Sequence, residues 1–233
     1  MERLTAQDLS TLWPDDVGWP QDIGAVAILA AEGPFGADGR LDIEAVREAI
    51  RARLHLVPRF RQRLLQPRRG LGWPLWVDAE DFDIADHVDI ADNVDGVPVA
   101  APAGEAELLP GVDELRRRPL DRSRPLWRMW FLPWFPDGRA AFYLRVHHAI
   151  ADGAAGVATL EAFLETVPDP PAVAVPPFAP APVPSGGALL ADNVRRHAGE
   201  VSRAASALVR PVRTLRRLRA GWPAVHETLA SER

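Results

Sequence analysis

Apolar and polar positions repeat with different periods along the 233-residue chain, and the changes of period mark its elements. Asp8 to Pro14 reads as a short helix or turn. "GAVAILA" (24–30) is a continuous apolar run, as a buried strand shows. "LDIEAVREAIRARLHLV" (41–57) places Leu41, Val46, Ile50, Leu54 and Val57 at helical spacing and stops at Pro58, which predicts an amphipathic helix. "RFRQRLLQ" (59–66) sets Phe60, Gln62 and Leu64 against Arg59, Arg61 and Arg63, the alternation of an edge or half-buried strand. Residues 74–90 read as extended and 111–120 as a short helix.

The clearest unit spans 125–148, where "PLWRMWFLPWF" and "RAAFYLRVHH" flank the turn signal Pro136-Asp137-Gly138. In the second run Phe142, Leu144 and Val146 should face one way and Tyr143, Arg145 and His147 the other. An Ala-rich helix is expected over 153–167. Together these predict a two-layer α/β fold, a mixed sheet carrying the hairpin with helices 41–57 and 153–167 packed on it. A domain over 1–167 is then followed by a proline-rich linker, 168–187, and a basic helical segment, 188–233. Within it, residues 188–220 hold eight arginines against two acids, a pattern that suits a membrane surface or an interdomain helix.

Apolar residues at 47% and charged residues at 25% exclude a disordered or fibrous chain, and a net charge of −5 argues against a nucleic-acid partner. No cysteine is present, which removes disulfides, thiolate nucleophiles and Cys-ligated zinc. No apolar run reaches the roughly 18 residues of a membrane span. The start "MERLTAQDLS" lacks an apolar signal core, so a cytoplasmic setting is expected, with attachment to a membrane or lipid-droplet surface as an option.

The chemistry concentrates in "RVHHAIADG" (145–153). Neighbouring strand residues point to opposite faces, so His147 and His148 should have different jobs. An imidazole, with a reference pKa of about 6.5, takes a hydroxyl proton near neutral pH when its ring is fixed and one nitrogen is open. Asp152 at a helix start can cap the helix or anchor the turn through an arginine, and Gly153 permits close approach. Read alone, the pair leaves three readings open: structural imidazoles, a base, or metal ligands with Asp152. Adjacent histidines that point apart chelate poorly, so no metal is expected.

In company the motif says more. "HHAIADG" resembles the HHxxxDG motif of coenzyme-A-dependent acyltransferases, which include chloramphenicol acetyltransferase and peptide-synthetase condensation domains. "VPRFRQRL" (57–64), "WPLWVDAEDFDIADHV" (73–88), "PLDRSRPLWRMWFL" (119–132) and "HHAIADGAAGVATL" (147–160) follow in the order seen in the N-terminal half of the bacterial wax ester synthase/diacylglycerol acyltransferase family. The opening "LTAQDLSTLW" fits as well. The resemblance covers about residues 3–167 and implies a chloramphenicol-acetyltransferase-like sandwich. It implies transfer of a fatty acyl group from acyl-CoA to a diacylglycerol or a long-chain alcohol, in triacylglycerol or wax ester synthesis. By the same resemblance His148 is the general base, His147 packs behind it, and Asp152 holds the loop through an arginine. Analogy with condensation domains offers Arg61 or Arg63 as that arginine, and counting around Asp137-Gly138 offers Arg128, near His147. Pro125, Leu126 and Trp127 match the family's PLW element, expected near the acyl tunnel, with Trp73 and Trp76 as further aromatic candidates. Acyl-CoA enters as co-substrate, and no resident cofactor is expected. Family members are longer and carry two similar domains, so the chain is expected to lack the second, whether as a fragment, a split enzyme or a degenerate product. A lipid- or partner-binding subunit of the same fold is the alternative function.

Overall fold

The computed structural model describes residues 2–29, 41–91, 93–94, 97–98, 105–132, 139–151, 162–163 and 175–206. The chain divides into two compact units, one of residues 1–66 and 73–183, the other of residues 67–72 and 184–233.

The first unit is built on two sheets. Strands β1 (Glu2–Arg3), β3 (Gln62–Leu65) and β4 (Leu75–Asp78) form a small antiparallel sheet in the order β1-β4-β3. Strands β2 (Asp22–Leu29), β5 (Val88–Ile90), β8 (Trp127–Leu132) and β9 (Ala140–His147) form the main sheet in the order β2-β9-β8-β5. It is mixed, because β5 runs parallel to β8 while the other pairs are antiparallel. Two short strands, β6 (Asn93–Val94) and β7 (Val97–Pro98), pair with each other.

Among the described residues, this unit holds three α-helices together with short 3-10 turns and the helical pair Ala162 and Phe163. α1 (Ala6–Asp16) begins in a capping box in which Thr5 Oγ1 accepts from the Asp8 amide and Asp8 accepts from the Thr5 amide. α2 (Ile43–Arg53) is capped by Asp42 and turns Val46 and Ile50 inward. α3 (Glu105–Arg116) supplies Leu108, Val112 and Leu115.

The two faces of the main sheet bury different sets. Phe142, Leu144 and Val146 join Trp127, Met129 and Phe131 in a core shared with α2. Tyr143, Trp130 and Leu132 join the α3 leucines on the opposite face. The alternation read from β9 therefore holds, with a layer on each side of the sheet. A third cluster of Leu4, Leu9, Leu12, Leu64, Trp76, Leu126 and Ala149 seats α1 against the small sheet.

Trp127 ties the two sheets together. Its indole donates to the Phe60 carbonyl at 2.8 Å, and its ring stacks on Phe60 and His87 with centroids 4.7 Å away in each case. His87 Nδ1 donates to the Trp127 carbonyl at 2.8 Å and stacks in turn on Phe82. Burial pushes the His87 imidazole below its ordinary value of 6.5, more than the Trp127 hydrogen bond and Asp86 raise it.

Several expectations are corrected. The strand expected over 59–66 begins only at Gln62, because Pro58–Arg61 forms a 3-10 turn opened by the fixed φ of Pro58. "GAVAILA" is not a buried strand. β2 pairs with β9 on one side alone among the described strands, and Val26 and Ile28 are exposed. Gly24 is needed there, since a Cβ would fall 2.7 Å from the Tyr143 ring. Of the helix expected over 153–167, Ala162 and Phe163 are helical and the rest lies outside the described residues.

In the linker region, residues 175–185 carry no regular element; Phe178 lies 4.1 Å from the Arg61 guanidinium, and the Ala181 amide donates to Asp78 at 2.9 Å. The second unit contains a helix over residues 186–206. Ser185 caps it, and Asn193 donates to the Gly70 carbonyl at 3.0 Å. The arginines beyond residue 206 lie outside the described residues. No helix of the described residues is long and apolar enough to cross a membrane.

Two outcomes test this core. Trp127→Phe keeps the stack but leaves the Phe60 carbonyl without its donor; urea unfolding should show a loss of about 1–3 kcal/mol. An unchanged midpoint would remove Trp127 as the tie between the sheets. The second concerns acid. The folded chain protonates His87 only below 6.5, so between the two pKa values the unfolded chain holds the extra proton. Stability should fall as pH drops below about 6.5, and it should fall less in His87→Gln. An equal fall in both chains would count against the buried neutral imidazole.

Candidate functional site

The site forms where β9 ends. His147 is the last residue of that strand, and a turn follows in which the Ile150 amide donates to the His147 carbonyl at 3.0 Å. The chain ahead of β2 lies alongside. Its Gln21 carbonyl accepts from the His148 amide at 2.8 Å, one step past the Asp22–His147 pair of the ladder.

His147 is 2% exposed, and both of its ring nitrogens are used. Nδ1 accepts from the Ala149 amide at 3.0 Å, so the proton sits on Nε2, which donates to Asp15 at 2.9 Å. Burial pushes this imidazole below 6.5, against the upward pull of the Asp15 carboxylate. His147 is thus a closed, neutral ring at pH 7 with no lone pair left to accept a proton. His148 is the opposite case: its side chain is exposed, and no described residue occupies its ring nitrogens. A fixed backbone with an open imidazole is the arrangement a base requires.

Asp15 organises this corner. One carboxylate oxygen takes the Gln21 amide at 2.9 Å, and the other takes His147, with Arg122 3.3 Å away. Arg122 also binds Asp16 at 2.6 Å and the Leu12 carbonyl, which holds the end of α1. Asp22, next to Gln21, pairs with Arg145, which is 1% exposed. Arg145 also donates to the carbonyl of Leu115, which the last turn of α3 leaves without a helical partner, and to that of Arg118 just beyond the helix. Asp15, Gln21, Asp22 and Arg122 were invisible as site residues in the sequence, because no motif spacing links them to residues more than a hundred positions away. The acidic residue at the end of an N-terminal helix was the available signal.

The remaining candidates fall into separate places. Asp152 and Gly153 lie outside the described residues. Arg61 packs its guanidinium over Phe178, and burial lowers its pKa. Arg63 lies in β3 opposite Val77. Arg128 is not opposite His147: the register pairs it with Arg145, two residues away from the counted position. The connection is longer than a tight turn, so counting from Asp137-Gly138 misplaces the register. Pro125, Leu126 and Trp127 are all buried; Leu126 packs with Leu12 and Ala149, and its carbonyl accepts from the His147 amide at 2.9 Å. The PLW element thus supports the histidine turn from behind. Trp76 is buried beneath Arg59, whereas Trp73 is half exposed.

Comparison with known proteins places the chain in a family. The family described as wax ester synthase/diacylglycerol acyltransferase catalytic domain matches residues 4–232. A Mycobacterium tuberculosis protein named as a diacylglycerol O-acyltransferase is 39% identical over 139 residues, 60% of this chain and 28% of its own length. Another from the same organism, named as a probable diacylglycerol O-acyltransferase, is 31% identical over 170 residues, 73% of this chain and 59% of its own. The solved wax ester synthase/diacylglycerol acyltransferase of Marinobacter aquaeolei VT8 superposes with a TM-score of 0.56 at 26% identity, over 76% of this chain and 40% of that one. The starter condensation domain of rhizomide synthetase, at 15% identity and a TM-score of 0.50, shares the fold. The chain therefore spans between 28% and 59% of the length of these curated relatives. With a match that runs almost from end to end, the chain belongs to the wax ester synthase/diacylglycerol acyltransferase family.

Proposed function

We propose that the chain carries the general base of an acyl-CoA-dependent O-acyltransferase, which moves a fatty acyl group from acyl-CoA to the hydroxyl of a diacylglycerol or a long-chain alcohol. The observation that carries this reading is the split within the histidine pair. His147 has both nitrogens engaged, while no described residue takes the ring nitrogens of the exposed His148, whose backbone is pinned.

The acceptor hydroxyl gives its proton to an open nitrogen of His148 as its oxygen bonds to the thioester carbonyl carbon. A tetrahedral intermediate forms. The C–S bond then breaks, and the CoA thiolate leaves with the proton from the imidazolium. No covalent enzyme intermediate is needed, so a chain without cysteine can run the reaction. Asp15 acts indirectly, through the His147 ring and the Gln21 amide. The proposed setting is cytoplasmic, at or beside a membrane or lipid-droplet surface, where such acceptors reside. The relatives are longer than this chain, so the reaction is proposed for the histidine site together with a second half of the family's fold.

An assay with palmitoyl-CoA and either hexadecanol or a diacylglycerol, with and without the second half of a full-length relative, tests the reading. Ester should form with the second half present, and His148→Ala should lower the rate by about 10²–10⁴-fold. Ester formation that survives His148→Ala would sink the assignment of the base. No ester in any arrangement, from a folded chain, would favour a lipid- or partner-binding subunit. Asp15→Asn leaves one carbonyl oxygen for two donors. It should lower kcat about tenfold or more with a smaller change in KM, and Asp15→Glu should restore part of it, in line with the roughly 1.5–3 kcal/mol of a charged hydrogen bond. Equal losses in kcat and stability for Asn and Glu would reduce Asp15 to a fold residue.

A further inference from the structure

Among the described residues, three buried side-chain atoms lack a hydrogen-bond partner: Arg61 Nε, Arg128 Nε and Trp130 Nε1. Two of the three residues, Arg128 and Trp130, line a single cavity of about 500 Å³. That volume falls within the range of small-molecule sites. The two stand two positions apart on β8, with the guanidinium 5.1 Å from the indole centroid. Both unsatisfied atoms are donors, and Trp130 is 3% exposed, so bulk water does not readily serve it.

The other charges on the wall are engaged within the protein. Arg124 pairs with Asp86 and Asp121, Arg145 with Asp22, and Asp89 with Arg47. Arg128 makes no ion pair among the described residues; its one contact of this kind is with the Trp130 ring. Two orphaned donors, one of them on a cation with no ion pair among the described residues, call for an acceptor that carries negative charge. A carboxylate-lined cation site would show the reverse, with acceptors unfilled.

We propose that this cavity is an oxyanion-binding site in which Arg128 and Trp130 hold a phosphate-type group. The guanidinium supplies the charge and a fork of donors, and the indole supplies a single directional N–H. Such a group fills only part of the cavity, which leaves room for an organic body attached to it. The phosphate has two sources of the same chemistry, a free inorganic anion or the phosphate of a CoA-type nucleotide. The inference does not rest on acyl transfer, since its readout is binding.

The test uses the whole chain with ¹⁵N-labelled tryptophan, the Trp130 indole signal being assigned by its loss in Trp130→Phe. Inorganic phosphate, CoA and dephospho-CoA are titrated at constant ionic strength. The Trp130 signal should move saturably, and Arg128→Gln, checked for fold by circular dichroism, should weaken binding at least tenfold. Tighter binding of CoA than of dephospho-CoA would identify the 3′-phosphate as the group held. Binding of inorganic phosphate with no gain from either nucleotide would identify a free-anion site. A signal that stays still with all three probes, or a shift that persists unchanged in Arg128→Gln, would overturn the proposal. His148→Ala should bind as the parent does, so failure of the acyltransfer reading and failure of this one are seen separately.

Discussion

The two oxygens of Asp15 answer donors that come from different parts of the fold: the His147 ring at the end of β9 and the Gln21 amide just before β2, each at 2.9 Å. Everything else about the histidine turn depends on that convergence. With its Nε2–H directed to the carboxylate, His147 must accept at Nδ1, and the amide that comes to it is Ala149, which draws the chain into a turn. With Gln21 fixed, its carbonyl holds the His148 amide. One carboxylate thus sets the tautomer of one histidine and the backbone of the next. Charge-assisted contacts of this kind are stronger than neutral ones, and they are costly to leave half made.

The scaffold behind this corner buries a few polar side chains together with their partners. Arg145 is buried on a central strand, yet it meets Asp22 and two carbonyls in and just after the last turn of α3, so the desolvation of its charge is offset by several partners. Trp127 and His87 do the equivalent on the opposite face, where an indole N–H and an imidazole N–H each find a backbone carbonyl across the gap between elements. The aromatic stacks that run through Phe82, His87, Trp127 and Phe60 then pack without an unfilled polar atom in those two rings' donors.

Local pattern revealed a good part of this. The 3.6 period of Val46 and Ile50 marked α2, and the strict alternation along β9 assigned its two faces. The split between His147 and His148 followed from the same alternation. What failed was non-local. An apolar run does not say whether a strand has one neighbour or two, so β2 was expected to be buried, whereas among the described strands it pairs on one side and leaves Val26 and Ile28 exposed. Alternating arginines before Gln62 imitated a strand where Pro58 enforces a turn. The register that puts Arg128 opposite Arg145 depends on the length of a connection, and small errors there move every pair. Asp15 lies 132 residues from His147, and only folding makes them neighbours.

The edge position of β2 has a consequence for how this molecule behaves in company. From Gly24 to Leu29 the strand carries no charge and no proline, and every second side chain, Val26 and Ile28 among them, looks outward. Proteins usually guard such a border with lysines, a bulge or a covering loop, because an unguarded one is a template for another strand. Asp22, the charge nearest to hand, is already committed to Arg145. Among the described residues no second strand pairs with this border, so its outer backbone groups are the ones a further strand would need.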